Sequence, residues 1–204
     1  MTENQQLHAL TASCAAGLET LVAREIASFG GKDVESARGL VIWRGDLEAA
    51  YRTCLWSRYA SRIFLSLATF EALDEDALYD GAAKVDWESH MGLQTTFAVD
   101  CSLNSSNITH SRFAALRVKD ALVDQFRDRY DDRPSVDVSR PDLRIRLYIY
   151  KNQATLSLDL SGESLHMRGY RFEGGGIAPL KESLAAAIVT LAGWKGDKNN
   201  DRML

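Results

Sequence analysis

The sequence predicts an α+β protein, and three observations carry that expectation. Strand-like and helix-like segments alternate with short links over the first seventy residues, one long amphipathic helix occupies Ser111 to Tyr130, and an alternating hairpin follows from Leu143 to Leu160. With 46% hydrophobic and 25% charged positions, the 204 residues can bury a core, so disorder is excluded as the default. The size suits one domain or two small ones. No stretch reaches the roughly 18 apolar residues of a membrane span, and the start, Met1 to Gln6, lacks a basic-then-apolar signal pattern. A cytoplasmic monomer with no membrane partner is the expectation.

The first segment, about Leu7 to Cys14, is short and partly alternating and reads as a strand. Beyond Gly17, the residues Leu18, Leu21, Val22, Ile26 and Phe29 share one stripe of a helix, which Gly30 and Gly31 end by supplying left-handed backbone. Val34 to Arg44 reads as a strand pair, or one long strand, around Arg38 and Gly39. Asp46 opens a helix through Leu47, Ala50, Tyr51, Cys54 and Leu55, and Arg62 to Phe70 is a further strand. This β-α-β-α-β order suggests a small ferredoxin-like sheet with helices on one face.

Residues 74 to 86 read as a helix with Leu78, Ala82 and Val85 on one face and Trp87 just beyond, and Thr95 to Leu103 reads as a strand. The polar turn 104–109 introduces the long helix. Its expected buried stripe is Phe113, Leu116, Val118, Leu122 and Phe126, with Arg112, Arg117, Lys119, Arg127 and Arg129 interleaved among Asp120, Asp124 and Asp128. A short strand, Ser135 to Val138, is expected after Pro134. In the hairpin, Leu143, Ile145, Leu147 and Ile149 face the core, Arg144, Arg146, Tyr148 and Tyr150 face away, and Lys151 to Gln153 form the turn. A glycine-rich connector, Gly169 to Gly176, leads to Pro179 and a helix through Ala192. The expected domains are 1–70, 71–162 (with a profile start near 49 as the alternative) and a linker and closing helix over 163–204.

The formal net charge of −4 argues against a simple basic nucleic-acid binder, yet it averages two unlike halves. Residues 1–100 carry 8 Lys+Arg against 15 Asp+Glu, and residues 101–204 carry 16 against 13, which places any RNA contact in the second half. Little else suggests chemistry. Gly174 to Gly176 precede a helix, but neither GxxxxGK[ST] nor GxGxxG occurs, and a linker with proline at the first helical position is the better reading. His8, His90, His110 and His166 lie too far apart in sequence for a helical metal pair. Cys14, Cys54 and Cys101 fit neither a CxxC pattern nor a disulfide framework, which suits a reducing compartment; Cys14 and Cys101 are expected to be inert buried thiols. Asp74, Glu75, Asp76 and Asp80 read as a solvated first helical turn. The face bearing Arg144, Arg146, Tyr148 and Tyr150, followed by Arg168, Tyr170 and Arg171, differs in kind. Guanidinium groups pair with phosphates and aromatic rings stack on unpaired bases, as an RNA surface requires. The alternative is an ordinary solvated or helix-covered sheet face.

Several stretches together resemble the THUMP-containing RNA methyltransferases. Ser13 to Glu25 is similar to the N-terminal signature of that family, and Ser111 to Ala121 to the main THUMP helix. The likeness continues through Pro141-Asp142 and the hairpin into Asp159 to Arg171, and closes with Ile177 to Ile188. It spans about residues 7–196 and is nearest to the bacterial 23S rRNA guanine-N2 methyltransferases of the large subunit.

The resemblance implies a ferredoxin-like domain, then a THUMP domain, then the first helix of a Rossmann-type methyltransferase domain truncated here. In the family the first two hold RNA while the third uses S-adenosylmethionine. The chain ends at Leu204 without the family's glycine-rich cofactor loop or its Asn-x-Pro-Pro-Tyr type motif: the three prolines, Pro134, Pro141 and Pro179, are isolated. The expectation is therefore an RNA-binding portion, inactive alone, with no catalytic, cofactor-binding or metal residues in this chain. Arg112, Arg117, Lys119, Arg168 and Arg171 are expected to hold phosphates, with Arg144, Arg146 and Tyr148 as a second group, and 23S rRNA or its assembly intermediates as partner. The alternatives are a subunit completing a split methyltransferase and a ferredoxin-like protein-interaction module.

Overall fold

The computed structural model describes residues 6–169 and 180–194. The chain forms two compact units, one built from residues up to Phe64 together with those from Glu163 onward, the other from Leu65–Gly162.

In the first unit the elements are β1 (His8–Cys14), α1 (Glu19–Ser28), β2 (Lys32–Ala37), β3 (Leu40–Gly45), α2 (Leu47–Trp56) and the start of β4 (Ala60–Glu71), in the hydrogen-bonded order β2-β3-β1-β4. This is the βαββαβ ferredoxin-like arrangement. The Val34–Arg44 region is a strand pair rather than one long strand, because Gly39 takes a left-handed φ of +74° and reverses the chain between β2 and β3. The Gly39 amide donates to Glu19 Oε1 at 2.7 Å and the Gly17 amide to Oε2 at 2.8 Å. These amides, Gly39's foremost, hold the Glu19 carboxyl below its ordinary pKa. Leu10, Val22, Ile26, Val41, Trp43, Ala50 and Ile63 form the core.

A buried carboxylate joins α1 to the end of α2. Glu25 of α1 is only 7% exposed and accepts from Ser57 Oγ at 2.8 Å, from the Arg58 amide and from Arg58 Nε at 3.0 Å. Ser57 Oγ in turn accepts from the Ala60 amide at 3.0 Å, so the turn from α2 into β4 is closed around one side chain. The last described helix, α5 (Glu182–Leu191), belongs to this unit; Tyr59 and Thr190 share a 2.8 Å hydroxyl bond. Ser183 and Ala187 of α5 are buried, Leu184 is half-buried, and Ile188 and Leu191 are exposed.

In the second unit β4 is followed by α3 (Glu75–Ala83), a 3-10 turn (Trp87–Ser89), β5 (Phe97–Asn104), α4 (Ser111–Tyr130), β6 (Leu143–Tyr150) and β7 (Gln153–Asp159), ordered β4-β7-β6-β5. β5 and β6 are parallel, which demands a crossover, and α4 supplies it. The α4 limits match the sequence expectation: His110 Nδ1 accepts from the Phe113 amide, and Asp131 ends the helix at φ +52°. The buried face differs. It is Ala114, Val118, Ala121, Leu122, Val123 and Phe126, while Phe113 and Leu116 are 46% and 45% exposed. Small alanines let α4 settle closely, and its packing direction leaves the two larger residues outside.

The hairpin turn is two residues, Lys151 and Asn152, both with positive φ, so Gln153 already belongs to β7. The expected strand Ser135–Val138 reduces to one bridge, Val136 to Phe97, because Pro134 withholds a donor and Asp137 diverts the Ser139 and Arg140 amides into a turn. Gln125 of α4 locks the segment after α3, donating to the Ala83 and Val85 carbonyls and accepting from the Trp87 amide.

Close packing at Gly31 gives a direct test. A Cβ there would lie 2.4 Å from Ile26 Cγ2, 2.9 Å from the Ile26 carbonyl and 3.0 Å from the Trp43 ring, whereas one at Gly92 would meet nothing within 4 Å. Gly31→Ala is expected to cost about 1–3 kcal/mol in urea unfolding, with Gly92→Ala within about 0.5 kcal/mol of the parent.

Candidate nucleic-acid interface

The cations expected to contact RNA fall into separate places. On the outer face of α4, Arg112 is exposed and forms no ion pair among the described residues, and it stands one and four residues from the exposed Phe113 and Leu116. Lys119 pairs with its neighbour Asp120. Arg117 is committed elsewhere: it binds Asp76 at 2.8 Å and the Glu75 carbonyl at 3.3 Å, and lies 4.9 Å over the Tyr79 ring, so it ties α4 to α3. Asp76 thus serves as a partner and not only as a solvated charge of the first helical turn.

The second group lies on the sheet face opposite Ile145, Leu147 and Ile149. Arg144 bonds Asp100 at 2.9 Å, a pairing that parallel register permits because Arg144 stands beside Ala98, two residues back along β5. Arg146 lies 5.7 Å over the Tyr148 ring and Lys151 lies 5.3 Å over the Tyr150 ring. With Asp100, Ser102 and Asn104 exposed on β5, this face is polar and open, carrying two aromatic rings each backed by a cation. At the opposite end of β6, Asp142 accepts from the Thr96 amide and hydroxyl, both at 2.8 Å, which lowers its pKa and fixes the start of β6 on β5.

Arg168 belongs to the first unit and has a structural task. Its Nη1 donates to the Leu55 carbonyl at 3.1 Å, and its Nη2 to the Cys54 and Ser57 carbonyls at 3.0 and 2.9 Å. These are among the carbonyls that a helix leaves unsatisfied at its C-terminus, where a cation also meets the negative end of the dipole. Arg168 therefore caps α2, and two of its nitrogens are unavailable to a phosphate. Arg171, with Tyr170, Gly174 to Gly176 and Pro179, lies outside the described residues. Ser164 Oγ and His166 Nδ1 lie 2.7 Å apart within one turn, and the Leu165 amide donates to the Ser61 carbonyl at 2.8 Å, which fastens that turn to β4. Sequence reasoning passed over Trp56 and Arg58, both exposed at the end of α2; an aromatic residue and an arginine flanking a helix terminus were the available signal.

Among the described residues no group of three His, Cys, Asp or Glu could hold a metal ion, and no helix is long and apolar enough to cross a membrane. Cys14 and Cys101 are half-buried rather than fully buried; burial first, aided at Cys14 by Glu19, pushes both thiols up to about 11.

Residues 9–64 match the model of the RlmL ferredoxin-like domain, and residues 72–159 that of the THUMP domain. The chain is 54% identical over 184 residues to the ribosomal RNA large subunit methyltransferase K/L of Desulfotalea psychrophila, covering 90% of this chain and 25% of that protein. It is 57% identical over 178 residues to the protein of the same name from Syntrophotalea carbinolica, covering 87% and 25%. The chain thus spans about a quarter of the length of the curated relatives it matches. Among solved structures it superimposes on SMU.472, a putative methyltransferase complexed with SAH, with a TM-score of 0.82 and 30% identity over 93% of this chain and 50% of that one.

Because Arg168 caps α2, Arg168→Ala is expected to lower the stability of the first unit by about 1–3 kcal/mol in urea unfolding. Arg168→Lys would recover only part of it, since one ammonium cannot span three carbonyls from the guanidinium's fixed fork.

Proposed function

The chain carries the ferredoxin-like and THUMP domains of the large-subunit ribosomal RNA methyltransferase K/L family, and from that premise we propose that it holds 23S rRNA, or an assembly intermediate of it, for a methyltransferase domain. The observation that carries the reading is the identity above one half with the K/L proteins across nearly all of this chain, which includes the THUMP domain. The reaction we propose for the whole protein is transfer of a methyl group from S-adenosylmethionine to a guanine N2, in the cytoplasm. SAH, the product form of that cofactor, in the structurally similar putative methyltransferase supports the cofactor assignment. The proposed domain limits are 1–70, 71–162 and 163–204. No residue described here is given a catalytic or cofactor role.

Within this chain the work is electrostatic positioning. Phosphate contacts fix register without reading sequence, and stacking on aromatic rings holds unpaired bases. The proposed phosphate ligands are Arg112, Arg146 and Lys119, with Arg171 in the connector; Tyr148 supplies a stacking ring. Arg117 and Arg144 lie in the same areas but are held by Asp76 and Asp100, so they shape the surface and contribute less to affinity. A salt-bridged cation already has its counter-charge, which a phosphate must displace; this holds for Lys119 too, whose partner Asp120 is its neighbour on the same helix and ties no two elements together.

Titration of the chain with a 23S rRNA fragment tests this. For about four neutralised phosphates, affinity should fall roughly 50- to 150-fold between 50 and 200 mM salt. Arg112→Ala with Arg146→Ala should weaken binding at least tenfold at low salt and flatten the salt slope by about 2. Salt-independent affinity, or a double variant that binds like the parent, would overturn the assignment.

A further inference from the structure

A cavity of about 280 Å³ opens in the first unit where the end of α2, the 165–168 turn and the start of α5 meet. Its walls bring together Trp56, Arg58, His166, Arg168, Glu182 and Ser183. Three features distinguish it from a packing defect. Ser183 is 6% exposed and lines the cavity, and among the described residues its hydroxyl, which is not sealed from solvent, has no hydrogen-bond partner. Among the described residues no side chain caps the start of α5, so the positive end of the helix dipole faces this region, with Glu182 as the acidic residue of its first turn. Arg58 gives Nε to Glu25 and lies 5.0 Å over the Tyr59 ring, while among the described residues its other guanidinium nitrogens have no hydrogen-bond partner, on a side chain 65% exposed.

At the rim, Trp56 is 68% exposed, a large apolar area to leave in water unless something covers it. The wall therefore offers an anion three kinds of donor, a hydroxyl, a helix terminus and a guanidinium, beside a ring able to stack on a base. The one acidic wall residue, Glu182, opposes a bare anion but not a ligand that also stacks. The volume stands just below the roughly 300–1,000 Å³ of small-molecule sites, which suits nothing larger than a single nucleotide and excludes a duplex.

We propose that this cavity binds one nucleotide, with its phosphate toward Ser183, Arg58 and the start of α5 and its base against Trp56. It deepens the RNA-holding reading by bringing Trp56 and Arg58 of the acidic half, where charge counting finds no contact, together with Ser183 and α5 of the basic half. The nucleotide is either part of a bound RNA or free, and the two sources are separable.

The test titrates the whole chain with guanosine 5′-monophosphate, guanosine and inorganic phosphate, following binding by calorimetry, and then with the 23S rRNA fragment. Guanosine 5′-monophosphate should bind at least tenfold more tightly than guanosine or phosphate alone. Trp56→Ala, at an exposed position, and Ser183→Ala, which removes only a hydroxyl, should each weaken it at least fivefold while circular dichroism stays unchanged. If the site serves RNA, both variants also weaken the rRNA fragment; if it serves a free nucleotide, they leave the fragment untouched. Equal affinities for the three small probes, or variants that bind the mononucleotide like the parent, would overturn the cavity proposal. Loss of rRNA binding by the parent chain would instead overturn the broader reading, with the mononucleotide result standing on its own.

Discussion

The first unit depends on how the end of α2 is satisfied. A helix terminates with carbonyls that have no partner, and here two side chains distant in sequence converge on that end. Glu25 enters from α1 and holds the amide and guanidinium of Arg58 and the hydroxyl of Ser57. Arg168, more than a hundred residues away in the chain, accepts the task of binding the exposed carbonyls of Cys54, Leu55 and Ser57. The buried carboxylate is tolerable because every bond to it comes from a donor, one of them charged. The two contacts together fix where the chain leaves α2, where β4 begins, and where the 165–168 turn and α5 can settle. The proposed nucleotide cavity is a consequence of that convergence.

The second unit is organised by a different constraint. Parallel β5 and β6 oblige the chain to cross over, and α4 must cover one face of the sheet while leaving the other open. This partition assigns the charges. Cations on the covered side either join α4 to α3, as Arg117 does through Asp76, or stay at the helix surface, as Arg112 does. Cations on the open side lie against tyrosines or pair with Asp100. An RNA meeting this unit would thus have to exchange existing partners for phosphates at several of these cations, which favours defined register over indiscriminate attraction.

Much of this was legible in the residues. The hairpin, α4 and the first helices were readable from apolar periodicity and from their stops and starts, the Gly30–Gly31 pair after α1 and Asp46 before α2; the caps of α4, His110 and Asp131, emerge only in the structure. The burial of α4 was not, since Phe113 and Leu116 satisfy the apolar pattern yet packing selected Ala114 and Ala121. Arg168 misled for a related reason. Its charge, and the basic run it belongs to, suggested phosphate, while its partners are backbone carbonyls that no side-chain pattern reveals. Trp56 and Arg58 escaped notice because their meaning arises only when α5 is placed beside them in the fold. Local chemistry is written in sequence, but the choice between competing partners is made by tertiary contacts.

The central claim is that this chain holds rRNA through the second unit. Photo-crosslinking of the chain to 23S rRNA, with the linked peptides located by mass spectrometry, examines it most directly. The account predicts crosslinked peptides from residues 97–119 and 143–152, which carry the exposed cations and tyrosines. Recovery of no crosslinked peptide from either stretch, under conditions where the RNA is bound, would contradict it.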